Sequence, residues 1–156
     1  MKILFVCTGN TCRSPMAEGL FSKIIESKGV SKEVYTVVSA GLMTVDGLEA
    51  SEFAVEALNE KGIDIRDHRS KRLTTDMIEE ADLILTMTYS HKTAVIQKSA
   101  NASEKTYTLK EYANHGDSNM DIADPFGMDI DAYQQCAEEI STTLESIVNK
   151  LIGEQI

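Results

Sequence analysis

Residues Lys2–Cys7 read KILFVC, and the chain runs straight on through Cys7–Pro15 as CTGNTCRSP. A continuous apolar run of that length, led by one lysine, marks a strand buried on both faces. The period then changes. Pro15–Lys28 places Met16, Leu20, Ile24 and Ile25 at helical spacing, with Gly29 just past the end. A buried strand, a short polar loop and a helix make the unit from which parallel sheets are built.

The rest of the chain repeats the alternation. Glu33–Ser39 (EVYTVVS) is β-rich and closed by Ala40-Gly41. Glu49–Lys61 is helical, with Phe53, Ala54, Ala57 and Leu58 on one stripe and Gly62 as its stop. Thr74–Ala81 is a short helix feeding a third strand, Asp82–Met87 (DLILTM), and Ser90–Ser99 is helical again. Lys105–Leu109 (KTYTL) is a less apolar, outer strand; Gly116–Met128 is loop; Asp129–Ile152 is one long amphipathic helix. The expected architecture is a single α/β domain over 1–156: a three-layer sandwich with a four-stranded parallel sheet, about five helices and a phosphate-binding loop after the first strand. Ligands in such folds sit at the carboxyl ends of the strands, where the strand order reverses.

Composition narrows the function. Hydrophobic residues are 42% and charged residues 26% of the 156, and there are only 2 Pro, which excludes disordered, collagenous and disulfide-dense classes. Fifteen Lys+Arg against 25 Asp+Glu give −10, a balance that argues against nucleic-acid binding. No apolar run approaches the ~20 residues of a membrane span, and Met1–Cys7 is too brief for a signal peptide. The expectation is a cytoplasmic protein. Cys7, Cys12 and Cys136 are odd in number and build no closed disulfide framework, so chemistry is expected of at least one.

Cys7 ends the buried strand and Arg13 opens the helix. Gly9 and Asn10 between them are the types that best tolerate positive φ and turn successive N–H groups inward. Pro15 suits the first position of a helix. The loop therefore forms a ring of backbone donors capped by a helix N-terminus, an anion site. A thiol held there is expected to be thiolate near neutral pH and to attack phosphorus. A cysteine ending a strand is often only a small hydrophobe, but Cys, Gly-Asn and Arg-Ser-Pro in strand–helix context point to chemistry. A general acid is also needed, and by composition Asp117, Asp121, Asp124 and Asp129 all qualify.

The stretch VCTGNTCRSPMAE resembles the signature of the low-molecular-weight protein tyrosine phosphatases, and the likeness continues through Ser39-Ala40-Gly41, Asp67-His68-Arg69, Asp82–Met87 and Asp124-Pro125-Phe126-Gly127. The resemblance implies Cys7 as nucleophile, Arg13 as bidentate clamp on the phosphoryl oxygens, and Asp124 as general acid. Thr8, Gly9, Asn10, Thr11, Cys12 and Ser14 complete the phosphate loop in that reading, Ser14 donating to the Cys7 thiolate. Asn10, Ser39 and His68 resemble the network that holds the loop's shape.

Two departures bear on the substrate. Tyrosine phosphatases of this family commonly carry a bulky aliphatic residue where this chain has Thr11, and two aromatics after Asp-Pro where it has Phe126 and Gly127. Both resemble the protein arginine phosphatase branch. A smaller, partly polar wall leaves room for a flat guanidinium, which the Asp124 carboxylate can pair with bidentately. Phosphoarginine in proteins is the favoured substrate and phosphotyrosine the alternative. A thioredoxin-coupled arsenate reductase shares the loop, but Asp82–Lys92 lacks its relay cysteines; a non-catalytic phosphate-binding module would be expected to lose Cys7, Arg13 or Asp124.

Spacing and family together suggest Cys7 and Cys12 as a reversible redox pair. Arg66, Arg69, Lys71 and Arg72 read as a solvated basic loop. His91 and His115 have no Cys or His neighbours at metal-ligand spacing, and no metal or other cofactor is expected. The expected partners are phosphorylated proteins, with no nucleic acid and no membrane, and the chain is expected to be a monomer.

Overall fold

The computed structural model describes residues 1–113 and 119–154. Four strands, β1 (Lys2–Cys7), β2 (Thr36–Gly41), β3 (Leu83–Thr86) and β4 (Thr106–Thr108), form one parallel sheet in the order β2-β1-β3-β4. Among the described residues the helices are α1 (Arg13–Ser27), α2 (Glu52–Asn59), α3 (Thr75–Glu80), α4 (Tyr89–Lys98), α5 (Leu109–Tyr112) and α6 (Ile130–Glu154), with a 3-10 segment at Ala100–Glu104. The expected α/β sandwich is present, with β4 outermost. No helix among the described residues is long and apolar enough to cross a membrane.

Alternate side chains of β1 face two cores. Ile3, Phe5 and Cys7 pack with α1, α2 and α6, whereas Leu4 and Val6 join Leu73, Ile78, Ile84 and Val95 beneath α3 and α4. Ile3, Leu4, Phe5 and Val6 are fully buried, each worth about 1.5–3 kcal/mol relative to exposure. This two-sided burial explains the unbroken apolar run. In the order β2-β1-β3-β4 the chain passes from β1 to one side and returns on the other, so the loop leaving Cys7 opens into the crevice where the order reverses.

Several boundaries differ from the sequence reading. α1 starts at Arg13 because Cys12 acts as its N-cap residue, with Met16 N–H bonding Cys12 C=O at 3.2 Å. Pro15 is thus the third helical residue, still in the turn whose N–H groups lack helical partners. β2 is shifted toward its C-terminus, since Val34 turns back on Ser31 while Ala40 and Gly41 pair with Val6 and Cys7. α2 starts at Glu52, where Ser51 Oγ accepts the Ala54 N–H at 3.3 Å. The four-residue α5, capped by Thr108, is too short to leave a periodic signal. Of the expected loop Gly116–Met128, residues 116–118 lie outside the described residues, and so do His115 and Asp117.

Candidate active site

The Cys7–Ser14 loop is shaped by its neighbours as much as by its own residues. Asn10, not Gly9, takes the left-handed conformation, with φ 56. Asn10 is fully buried and is the hub of the loop. Its Nδ2 donates to Ser14 Oγ (2.7 Å) and Ser39 Oγ (2.9 Å), and its Oδ1 accepts the Lys71 N–H at 2.9 Å. Its own N–H points at Cys7 Sγ (3.3 Å), and its carbonyl meets His68 Nε2 at 2.7 Å. Ser14 Oγ lies 2.9 Å from Cys7 Sγ. That oxygen accepts from Asn10, which leaves its hydrogen free to point at the sulfur.

The end of β2 clamps the loop from the other side. Leu42 N–H bonds the Cys7 carbonyl at 3.0 Å, and Met43 N–H bonds the Thr8 carbonyl at 2.9 Å. Gly41 is required by this close approach: a Cβ there would lie 2.8 Å from Thr8 O and 3.0 Å from Asn10 N. Ser51 N–H holds the Thr11 carbonyl at 2.8 Å. The N-terminus of α1 carries no side-chain cap, so its first N–H groups and dipole remain available to an anion.

Arg13 is buried (4% exposed) beneath the loop. Its Nη1 donates to the Ile122 carbonyl at 2.9 Å, and its Nη2 lies 3.5 Å from Asp124 Oδ2. Loop and arginine floor a cavity of about 200 Å³, walled by Thr11, Asp124 and Phe126. That is several times the ~30 Å³ share of a water molecule, room for a small anionic group. Phe126 is 73% exposed, so the wall it makes is open. A larger cleft of about 430 Å³ behind α1 is lined by neither cysteine nor arginine.

The residues picked out by the resemblance come together here: Cys7 to Ser14 in the loop, Ser39 and His68 behind it, and Asp124 and Phe126 across it. Asp121 is engaged elsewhere, accepting the Tyr89 N–H at 2.9 Å, and Asp129 caps α6 at Ala132. The structure adds residues the sequence did not single out. Glu18 accepts from Ser39 Oγ at 2.9 Å and lies 4.0 Å from His68 Nδ1; burial raises its pKa, with Ser39, His68 and Lys71 opposing. Tyr133 OH is 3.4 Å from Cys12 Sγ, and burial together with that bond pushes its pKa up to about 12. Glu18 stands four residues past Ser14 inside the quoted stretch, but its partners come from β2 and the 66–72 loop. The basic cluster is partly neutralised, Arg66 pairing with Asp64 at 2.8 Å and Arg69 with Glu49 at 3.8 Å.

The parallel sheet, the cysteine in a backbone cradle at the end of its first strand and the buried arginine behind it define a phosphate-handling α/β enzyme of the cysteine-nucleophile type. Residues 2–155 match the low molecular weight phosphotyrosine protein phosphatase family, and the chain belongs to it. It is similar to a protein of Bacillus subtilis named protein-arginine-phosphatase, 44% identical over 97% of each chain. A protein of Ralstonia nicotianae named as a probable low molecular weight protein-tyrosine-phosphatase, EpsP, is 34% identical over 96% of this chain and 94% of its own. Among solved structures, the arginine phosphatase YwlE with a phosphorylated active-site serine superposes with a TM-score of 0.90 at 43% identity, covering 97% of this chain and 95% of that one.

Proposed function

We propose that this phosphatase removes the phosphoryl group from phosphoarginine in proteins. Cys7 Sγ attacks phosphorus in line, forming the S–P bond as the P–N bond breaks, while Asp124 gives its proton to the departing guanidine nitrogen. Water then attacks the phosphocysteine and Asp124 takes the proton back. The S–P bond breaks and inorganic phosphate leaves. Arg13 and the loop N–H groups hold the equatorial oxygens throughout, which is electrostatic stabilisation by preset donors. The observation that carries the reading is the cavity itself, with Cys7 and Arg13 on its floor and Asp124 on its wall.

Arginine is favoured over tyrosine by Thr11. Its backbone is pinned by Ser51, and its side chain lines the cavity where a branched aliphatic would fill the space. The relative named for arginine is also more similar to this chain than the one named for tyrosine. Thr11→Ile replaces the hydroxyl by an ethyl group and is expected to lower kcat/KM on a phosphoarginine peptide by about 10- to 100-fold, the range that a carbon-sized change in a pocket commands, and to raise it on a phosphotyrosine peptide. A wild-type preference for phosphotyrosine would instead make this a tyrosine phosphatase and leave Thr11 without a role in selection.

The same reading makes Cys7 and Cys12 a redox pair in a monomeric cytoplasmic enzyme. Hydrogen peroxide oxidises the Cys7 sulfur to sulfenic acid, itself reduced to water; Cys12 sulfur then attacks Cys7 sulfur, expelling a second water and closing the disulfide. Both thiols are free and buried, with Cys12 resting against Ser51 Oγ (3.5 Å) and Tyr133 OH (3.4 Å). After peroxide and then reductant, wild type should regain activity and two titratable thiols, whereas Cys12→Ala should lose activity irreversibly. Equal irreversible loss in both would sink the pairing.

A further inference from the structure

His91 takes no part in the mechanism just given, and it belongs to α4, which follows β3 rather than the loop. The residue is 7% exposed. Its own N–H is held by the α4 cap residue, bonding Thr88 Oγ1 at 3.1 Å. Nε2 lies 2.8 Å from Thr8 Oγ1, in the residue that follows Cys7. Nδ1 is buried and has no hydrogen-bond partner among the described residues.

Those contacts decide where the ring proton sits. A neutral imidazole has one donor and one acceptor nitrogen. A buried N–H without an acceptor is the rarer and costlier orphan, so the hydrogen belongs on Nε2 and the bare lone pair on Nδ1. The ring stays neutral: burial and the nearby Arg13 charge push its pKa down to about 4, outweighing the opposite pull of Asp121 and Asp124. With Nε2–H donating, Thr8 Oγ1 is the acceptor, and its own hydrogen is left to point elsewhere. The relation is the same as that of Asn10, Ser14 and Cys7, one step further round the cradle. Thr8 lines the cavity, and its carbonyl is already bonded to Met43 N–H.

We propose that His91 is a positioning residue that turns the Thr8 hydroxyl hydrogen onto an oxygen of the phosphoryl group, adding a side-chain donor to the backbone ring. The inference rests on the phosphatase reading of the loop. It differs from a packing role because His91 acts only through one hydroxyl, and a donor aimed at developing charge is worth more in the transition state than in the ground state.

The test is a double-mutant cycle on Thr8 and His91, read with p-nitrophenyl phosphate turnover and with inhibition by orthovanadate and by inorganic phosphate. Thr8→Val and His91→Phe should each lower kcat by about 10- to 100-fold, the lower part of the range for one oxyanion donor. Both should weaken orthovanadate more than phosphate, and both should leave KM within about twofold. The double variant should lose no more than either single, since the two act as one unit. His91→Gln, whose amide nitrogen reaches where Nε2 stood, should restore most of the rate. Wild-type kcat in His91→Phe, losses that multiply in the double variant, or a Gln variant as poor as Phe would each overturn the proposal. If His91→Phe does not fold, Thr8→Val and His91→Gln still decide it. Absence of turnover in the wild type itself would overturn the phosphatase reading first, and would be recognised by equality with Cys7→Ser.

Discussion

Cys7→Ser is expected to reduce turnover of every phosphorylated substrate by on the order of 10⁵-fold or more, the scale seen when a nucleophile is removed from a unit that works together. The reason lies in what surrounds the sulfur. Its bonded neighbours are the Asn10 N–H, a donor at 3.3 Å, and the Ser14 hydroxyl at 2.9 Å, whose hydrogen is free to point at the sulfur. Neither is a base that could take a proton from a nucleophile holding one. A serine hydroxyl keeps its proton at neutral pH and is a far weaker nucleophile without a base beside it. Alkoxide is also a far worse leaving group than thiolate when water attacks the phosphoryl-enzyme, so turnover falls even where one transfer occurs. The described histidines are occupied elsewhere, His68 on the Asn10 carbonyl and His91 on Thr8. The cradle should survive the change, because its donors are main-chain N–H groups and Arg13. The variant is therefore expected to melt within a few degrees of wild type and to bind inorganic phosphate with similar affinity. Release of phosphate at more than about one hundredth of the wild-type rate would remove Cys7 from the role of nucleophile.

What the sequence discloses of this site follows how local each part is. Strand β1, the loop and α1 are continuous in the chain, and their chemistry is written in Lys2–Pro15. The two-sided burial of Ile3 to Val6 made the strand legible, and Cys and Arg types set the rest. Asp124 is different. By composition it stood level with Asp117, Asp121 and Asp129, and only a family likeness separated it; in the fold its Oδ2 lies 3.5 Å from Arg13 Nη2, a proximity no local pattern encodes. Ser39 and His68 came from likeness alone, since their roles depend on β2 and the 66–72 loop folding back to Asn10. His91 was legible only as a histidine without metal-ligand neighbours. Its meaning arises because β3 pairs with β1, through Val6↔Thr86, and so brings the start of α4 beside Thr8. Gly9 and Asn10 are level in the sequence for a related reason. The left-handed turn fell to Asn10, whose side chain finds partners at Ser14, Ser39 and Lys71 that glycine could not hold.

Arg13→Lys is expected to cost about 10³-fold in kcat/KM, with most of it in kcat, even though the charge is kept. An arginine that neutralises a transferring phosphoryl group contributes about 10³–10⁵ in rate, and lysine recovers only the part owed to charge. The guanidinium does three things at once. Its Nη1 bonds the Ile122 carbonyl at 2.9 Å, its Nη2 faces Asp124 at 3.5 Å, and its remaining edge is the one that can present two parallel N–H groups to phosphoryl oxygens. An ammonium at the end of a flexible stem is a point donor and cannot span these acceptors. In the 4%-exposed pocket of Arg13 it would leave the Ile122 carbonyl unpaired, or the phosphoryl oxygens, and each buried polar group so orphaned costs about 1–3 kcal/mol. Because the same side chain steadies the segment that carries Asp124, the loss should be larger for a poor leaving group that needs protonation than for p-nitrophenolate, which does not. Comparing the two substrates therefore separates the functions. A lysine variant within about tenfold of wild type on both would mean that charge alone serves, and the bidentate clamp would have to be abandoned.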